Sequence, residues 1–253
     1  MDINQLKEIL DREAARINTS EFIVNDPVQF PRRFTSLPDI EIVALLSATI
    51  AWGNRKMICN NCEKMLDIMG NEPLHFIESE EFELLPDDQN IHRTFFARNF
   101  KYLLRGLRRI YLKHNSLNDF AAAHHVGESE EPAWRLVELM QRELAAANGG
   151  SNDSRCLPTN LKNTALKRIN MALRWLVRDD GIVDLGVWNA IKPSQLFIPL
   201  DVHVGDTARE LGMTTRRAND KKTVLEITRL LRQMRPHDPI IYDYALFGIG
   251  VSS

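Results

Sequence analysis

Phe197-Ile198-Pro199-Leu200-Asp201-Val202-His203-Val204 is the stretch on which the reading of this chain turns. An apolar run ends in a carboxylate, and a helical pattern over 202–211, closed by Gly212, begins one residue later. Asp201 therefore falls where a side chain caps a helix and is held rigidly at its N-terminus. Two uses follow. It is a plain cap, or it is a fixed carboxylate that steadies a developing positive charge or moves a proton. His203 is a first-turn partner or a core histidine. With Asp201 it makes a metal pair that lacks a third ligand, so no metal is expected.

Upstream, 164–177 reads as a helix. Leu166, Ile169, Leu173, Leu176 and Val177 share one face, while Lys167, Met171, Arg174 and Arg178 share the other, with Arg168 beside them. Such a stripe is a solvated face, or it is an amine nucleophile with arginines that hold phosphates. Neighbouring cations favour the neutral, nucleophilic form of a lysine. Downstream, Tyr242-Asp243-Tyr244-Ala245-Leu246-Phe247-Gly248 sets Asp243 and Phe247 one helical turn apart. They are either part of a packed C-terminal helix or an acid and an aromatic able to bond and stack a flipped base.

The remaining sequence predicts an all-α protein of ten to twelve helices. Amphipathic helices are expected over 2–17, 91–113, 132–147 and 221–235. The segment after Pro38-Asp39 is apolar nearly all round, as in a central helix. That helix runs into Trp52-Gly53-Asn54-Arg55-Lys56, and a second follows. Asn148-Gly149-Gly150-Ser151-Asn152-Asp153-Ser154 is the most linker-like stretch. We place a boundary near 148–154 between two helical lobes of a single 1–253 unit.

The 253 residues carry a net charge of −2, with three cysteines. The near-neutral balance leaves room only for local basic patches. Six Lys or Arg and no acid lie between Ser154 and Arg178. An odd, small number of cysteines fits a reducing compartment, and Cys59-x-x-Cys62 reads as structural thiols. No run of 18 apolar residues exists, so no membrane span is expected.

Ile198-Pro199-Leu200-Asp201-Val202-His203-Val204, followed by Ala208-Arg209-Glu210-Leu211-Gly212, resembles the signature of the helix-hairpin-helix DNA glycosylase superfamily. The resemblance is nearest to the archaeal-type 8-oxoguanine DNA glycosylases. There a lysine is followed seven residues later by a second basic residue, and the catalytic Asp comes roughly thirty residues on. Here Arg174 follows Lys167, and Asp201 lies 34 residues after that lysine. Asp243 and Phe247 match a base-pocket pair of that group. Ala51-Trp52-Gly53-Asn54-Arg55-Lys56 falls where the superfamily has a base-probing helix end. The whole chain also resembles a bacterial family with these last motifs and Lys167-Arg168-Ile169-Asn170-Met171-Ala172-Leu173-Arg174-Trp175.

The pattern departs at the hairpin. Leu157-Pro158-Thr159-Asn160-Leu161-Lys162-Asn163-Thr164-Ala165 keeps the family's ends and lacks both of its glycines, which let backbone amides approach a phosphate. It also makes Lys162 a rival to Lys167 as nucleophile.

The resemblance implies a two-lobed, DNA-glycosylase-like helical fold with a degenerate helix-hairpin-helix. It implies a glycosylase and AP lyase that excises an oxidised purine such as 8-oxoguanine through a lysine Schiff base. Lys167 and Asp201 would be catalytic. Asp243, Phe247, Trp52 and Met171 would line the base pocket, and Lys162, Arg168, Arg174, Arg178 and Arg55 would contact DNA. The partner would be double-stranded DNA with a damaged base, bound by a cytoplasmic, nucleoid-associated monomer with no cofactor and no iron–sulfur cluster. The rivals are a non-catalytic nucleic-acid binder that retains the fold and a helical protein-interaction scaffold.

Overall fold

The computed structural model describes residues 2–252. The protein is all-α apart from one short hairpin, and the chain divides into two compact units. One joins Met1–Val24 to Lys162–Ser253, and the other is Asn25–Leu161.

The discontinuous unit holds α1 (Ile3–Ile17), α2 (Ser20–Val24), α9 (Lys167–Val177), α10 (Val202–Glu210), α11 (Lys221–Met234) and α12 (Tyr242–Ser252). Asp2 and Gln5 form a capping box that starts α1. α1 then lies along α12, and α10 packs against α12 from another side. The Tyr242 hydroxyl donates to Asp11 at 2.7 Å, tying α12 to α1. The long segment after α9 folds back on it: Leu185 N–H donates to Trp175 O at 2.7 Å and Trp188 N–H to Leu176 O at 2.9 Å.

The continuous unit holds α3 (Leu37–Thr49), α4 (Arg55–Ile68), α5 (Pro73–Glu78), α6 (Ala97–Tyr111), α7 (Leu117–Ala123) and α8 (Pro132–Ala147), with β1 (Asn90–His92) and β2 (Phe95–Phe96). As its pattern predicts, α3 is central: every residue from Ile40 to Thr49 is buried. Even Glu41 is fully buried, and its carboxylate accepts Leu117 N–H at 2.7 Å, Asn118 N–H at 2.8 Å and the Tyr111 hydroxyl at 3.0 Å. An internal acid thus starts α7, which the sequence reading missed along with α2 and α5.

Two further expectations change. The helix expected from Ile91 starts at Ala97, because 90–96 forms the antiparallel hairpin β1–β2. His92 anchors it: Nε2 meets Trp52 O at 3.0 Å and Nδ1 meets Asn61 Nδ2 at 2.9 Å. A carbonyl only accepts, so the ring carries its proton on Nε2. These bonds outweigh the helical spacing of the neighbouring phenylalanines. The boundary expected at 148–154 moves as well, because that stretch is tied to α6. Asn148 donates to Tyr102 O at 3.0 Å, the Tyr102 hydroxyl to Ser151 O at 3.1 Å, and Asn99 to Asp153 at 2.6 Å. The chain instead changes unit at 24/25 and 161/162. No described helix is long and apolar enough to cross a membrane.

Candidate active site

The discontinuous unit brings Lys167 and Asp201 together: Nζ lies 3.9 Å from Oδ2, with the side chains 28% and 35% exposed. Asp201 is the N-cap of α10, and its Oδ1 accepts Val204 N–H at 3.0 Å. Both uses of this carboxylate therefore coexist, since one oxygen caps the helix while the other faces the amine. The Asp201 backbone is held too. Asn219 donates to Asp201 O at 3.1 Å, and Arg209 Nη1 donates to Asn219 Oδ1 at 3.1 Å. Gly205 makes room for this brace: a Cβ there would stand 2.4 Å from Asn219 Oδ1.

Lys167 is the first residue of α9, and the buried Leu166 before it has φ +51°. A leucine in the left-handed region is strained. Thr164 Oγ1 accepts Leu166 N–H at 3.3 Å, and Asn170 donates to Ala165 O at 3.0 Å. The bend that aims Lys167 is thus fixed from both sides. The degenerate hairpin segment is turn and coil from 151 to 166, leading into α9.

Asp243 opens α12 and is buried, with its carboxylate accepting from Arg174 Nη1. Burial pushes its pKa up to about 6; the Arg174 charge pulls the other way, the Asp201 charge adds to the rise, and Lys167 opposes it. Asp243 thus senses both members of the lysine–carboxylate pair. Phe247 is half-buried one turn on, edge to face with Phe22 at 5.9 Å. Met171 is half-buried one turn along α9 from Lys167, Arg168 is likewise half-buried, and Lys162 is exposed.

Arg174 and Arg178 correct the sequence reading. They are 5% and 2% exposed and face inward, so neither contacts phosphate from this position. Arg174 Nε lies 3.3 Å from Asp184 Oδ1. Arg178 pairs with Asp184, with both oxygens of Asp238 at 2.7 and 3.0 Å, and with Asp180 at 3.1 Å. Burial raises the Asp184 pKa, against the pull of both arginines. Trp52 and Arg55 belong to the other unit. There the Trp52 ring meets His92 edge to face at 4.7 Å, and Arg55 pairs with Asp26 at 3.4 Å. Sequence reasoning missed Asn219, Asp184 and His92 and the bracing role of Arg209, because their partners are set by tertiary contact and leave no periodic signal. Among the described residues no cluster of three or more His, Cys, Asp or Glu is placed to hold a metal ion. Burial pushes the Cys62 thiol up to about 12 and raises Cys59 as well, so neither is set up as a thiolate.

Fold and site together define an all-helical protein with an amine and a carboxylate facing each other at the heads of two helices. The chain belongs to the family described as "Protein of unknown function (DUF2400)", whose model matches residues 26–252. No curated protein and no solved structure matches it.

Proposed function

We propose that the protein is a DNA glycosylase with AP lyase activity that excises an oxidised purine, such as 8-oxoguanine, from duplex DNA. The observation that carries this reading is the pairing of Lys167 Nζ with Asp201 Oδ2 at 3.9 Å, both partly open to solvent. It joins the two residues that the glycosylase signature singles out.

The damaged nucleotide leaves the stack so that C1′ reaches the pair. Asp201, held by its cap bond, steadies the positive charge that grows on the sugar. Before that it takes the proton that the Lys167 ammonium must lose and passes it to the departing base, so it is ionised as the sugar charge grows. The Lys167 lone pair forms a bond to C1′ as the bond from C1′ to the base breaks, and the base leaves with that electron pair and is protonated. Opening of the C1′–O4′ bond, with a proton delivered to O4′, converts the adduct to a protonated imine. Loss of a C2′ proton then expels the 3′ phosphate, and water releases the lysine. Phe247 and Met171, both half-buried, flank the base, while Asp243, buried against Arg174, acts on the Lys167–Asp201 pair through its charge and does not touch the base. Lys162 and Arg168 are left as the DNA contacts of this unit.

Borohydride trapping on a labelled duplex carrying 8-oxoguanine tests the proposal. The wild type is expected to give a covalent adduct that Lys167→Gln abolishes, that Lys162→Gln retains, and that Asp201→Asn lowers at least 100-fold (about 2.7 kcal/mol of barrier). Loss of the adduct only in Lys162→Gln would transfer the nucleophile to that residue. Binding without any adduct would leave a nucleic-acid-binding protein.

A further inference from the structure

We propose that the turn between α10 and α11 is the surface that holds a phosphodiester backbone against the site. This rests on the nucleic-acid reading of Lys167 and Asp201 and identifies where their substrate is gripped. With Arg174 and Arg178 buried in ion pairs, the cations first read as phosphate contacts are unavailable. The hairpin that would present backbone amides also lacks its glycines.

The turn supplies a replacement. It runs Thr214-Thr215-Arg216-Arg217-Ala218-Asn219-Asp220-Lys221-Lys222. Two hydrogen bonds fix where it sits. Asn219 donates to Asp201 O at 3.1 Å, which places the turn beside the carboxylate. Lys221 N–H donates to Asn163 O at 3.0 Å, which brings the Lys162 segment alongside. Lys162, Arg217 and Lys222 are exposed, and Lys221 is partly so.

The acids within the turn and on its brace are already engaged. Asp220 takes Arg216 Nη2 at 2.6 Å and caps α11, and Asp206 takes Arg209 Nη2 at 2.7 Å. Glu226, one turn beyond Lys222, and Glu210, at the end of α10, are the exposed acids that remain nearby. Four cations from two hydrogen-bonded segments thus gather at this turn, a basic ridge on a chain whose net charge is −2. A ridge of this kind suits a ligand that presents a row of evenly spaced charges, and phosphate contacts to such a row set register while base contacts set specificity.

The test is fluorescence anisotropy with a labelled, undamaged duplex over a series of salt concentrations, on the full-length protein. Arg217→Gln and Lys222→Gln are each expected to lower the slope of log K against log salt by about 0.9. Arg12→Gln, which removes an exposed charge from α1, is expected to leave it unchanged. The two ridge variants should melt with the wild type. The proposal is overturned by absence of duplex binding at low salt, by slopes that do not separate the ridge variants from Arg12→Gln, or by polyglutamate of equal charge displacing the duplex equally well. Reduced slopes with no borohydride adduct would uphold the surface and reject the glycosylase reading. An adduct with unchanged slopes would do the reverse.

Discussion

Dividing the oxygens of Asp201 between a helix cap and a lysine restricts how that carboxylate can turn, so the catalytic use proposed for it depends on its structural one. Asp243 is constrained differently. Its pKa of about 6 stands above the ordinary 3.8, so the folded protein holds a proton that the unfolded chain has released. Its stabilising contribution is therefore complete below 3.8, drains away as the pH climbs towards 6, and is gone above that. Carboxylates such as Asp11 and Asp180, whose pKa values are lowered, lose their contribution only below the ordinary range. The depressed His92 works against stability on acidification, so a variant comparison is needed. The melting temperature of the wild type minus that of Asp243→Asn is expected to be larger at pH 4.5 than at pH 7. A difference independent of pH would remove the shifted proton from the account. Arg178→Met strands Asp184 and Asp238 without their guanidinium and should cost roughly 3–5 kcal/mol in chemical denaturation. It should leave the salt dependence of DNA binding unaltered, which a phosphate-contacting arginine would not.

Two glycines have close neighbours, with different consequences. At Gly106 of α6 an added Cβ would stand 2.3 Å from the Leu144 side chain and 2.8 Å from its Cα, so a neighbouring backbone stands in the way. Gly106→Ala is expected to destabilise by about 1–3 kcal/mol through forced separation of α6 and α8. At Gly205 of α10 the obstacles are the Asn219 amide and the far end of the Arg209 side chain, both of which can swing aside. Gly205→Ala should therefore cost little stability yet release Asp201 O and slow adduct formation at least 10-fold, since small misplacements are costly in rate. An unchanged trapping rate would show that the Asn219 brace is dispensable. These cases mark what local pattern can reveal. The all-round apolarity of α3 and the cap of α10 are written in neighbouring residues, and they were legible. So was the place of Asp201 at a helix head, whereas Lys167, expected inside a helix from 164, instead opens α9. The inward turn of Arg174 and Arg178 was not, because their partners Asp184 and Asp238 lie in irregular segments. Neither was the hairpin at 90–96, since the two groups that hold His92, Trp52 O and the Asn61 amide, come from outside it.

The two units differ in how the chain enters them. Asn25–Leu161 is one continuous stretch, whereas its companion takes α1 and α2 from the start of the sequence and four helices from the end. α1 has its long partner in α12, bonded through Tyr242 and Asp11. Cooperative opening of such a unit would expose α1, α9 and α12 together. Hydrogen exchange is expected to give these three helices one common protection level, separate from that of α3 and α6. Exchange of α1 at the rate of a frayed end, with α12 still protected, would show that α1 is an accessory.

The pairing of α1 with α12 also has a meaning during synthesis. A ribosome adds roughly 5–20 residues per second, so the segment Asn25–Leu161 leaves the exit tunnel and can settle while α1 still waits for its mate. Lys167 emerges before Asp201, and the last helix they need, with Asp243 at its head, comes after both. A nascent chain therefore cannot assemble this lysine and its carboxylates ahead of time, and translation that stops short of α12 yields a product in which the amine has no finished surroundings.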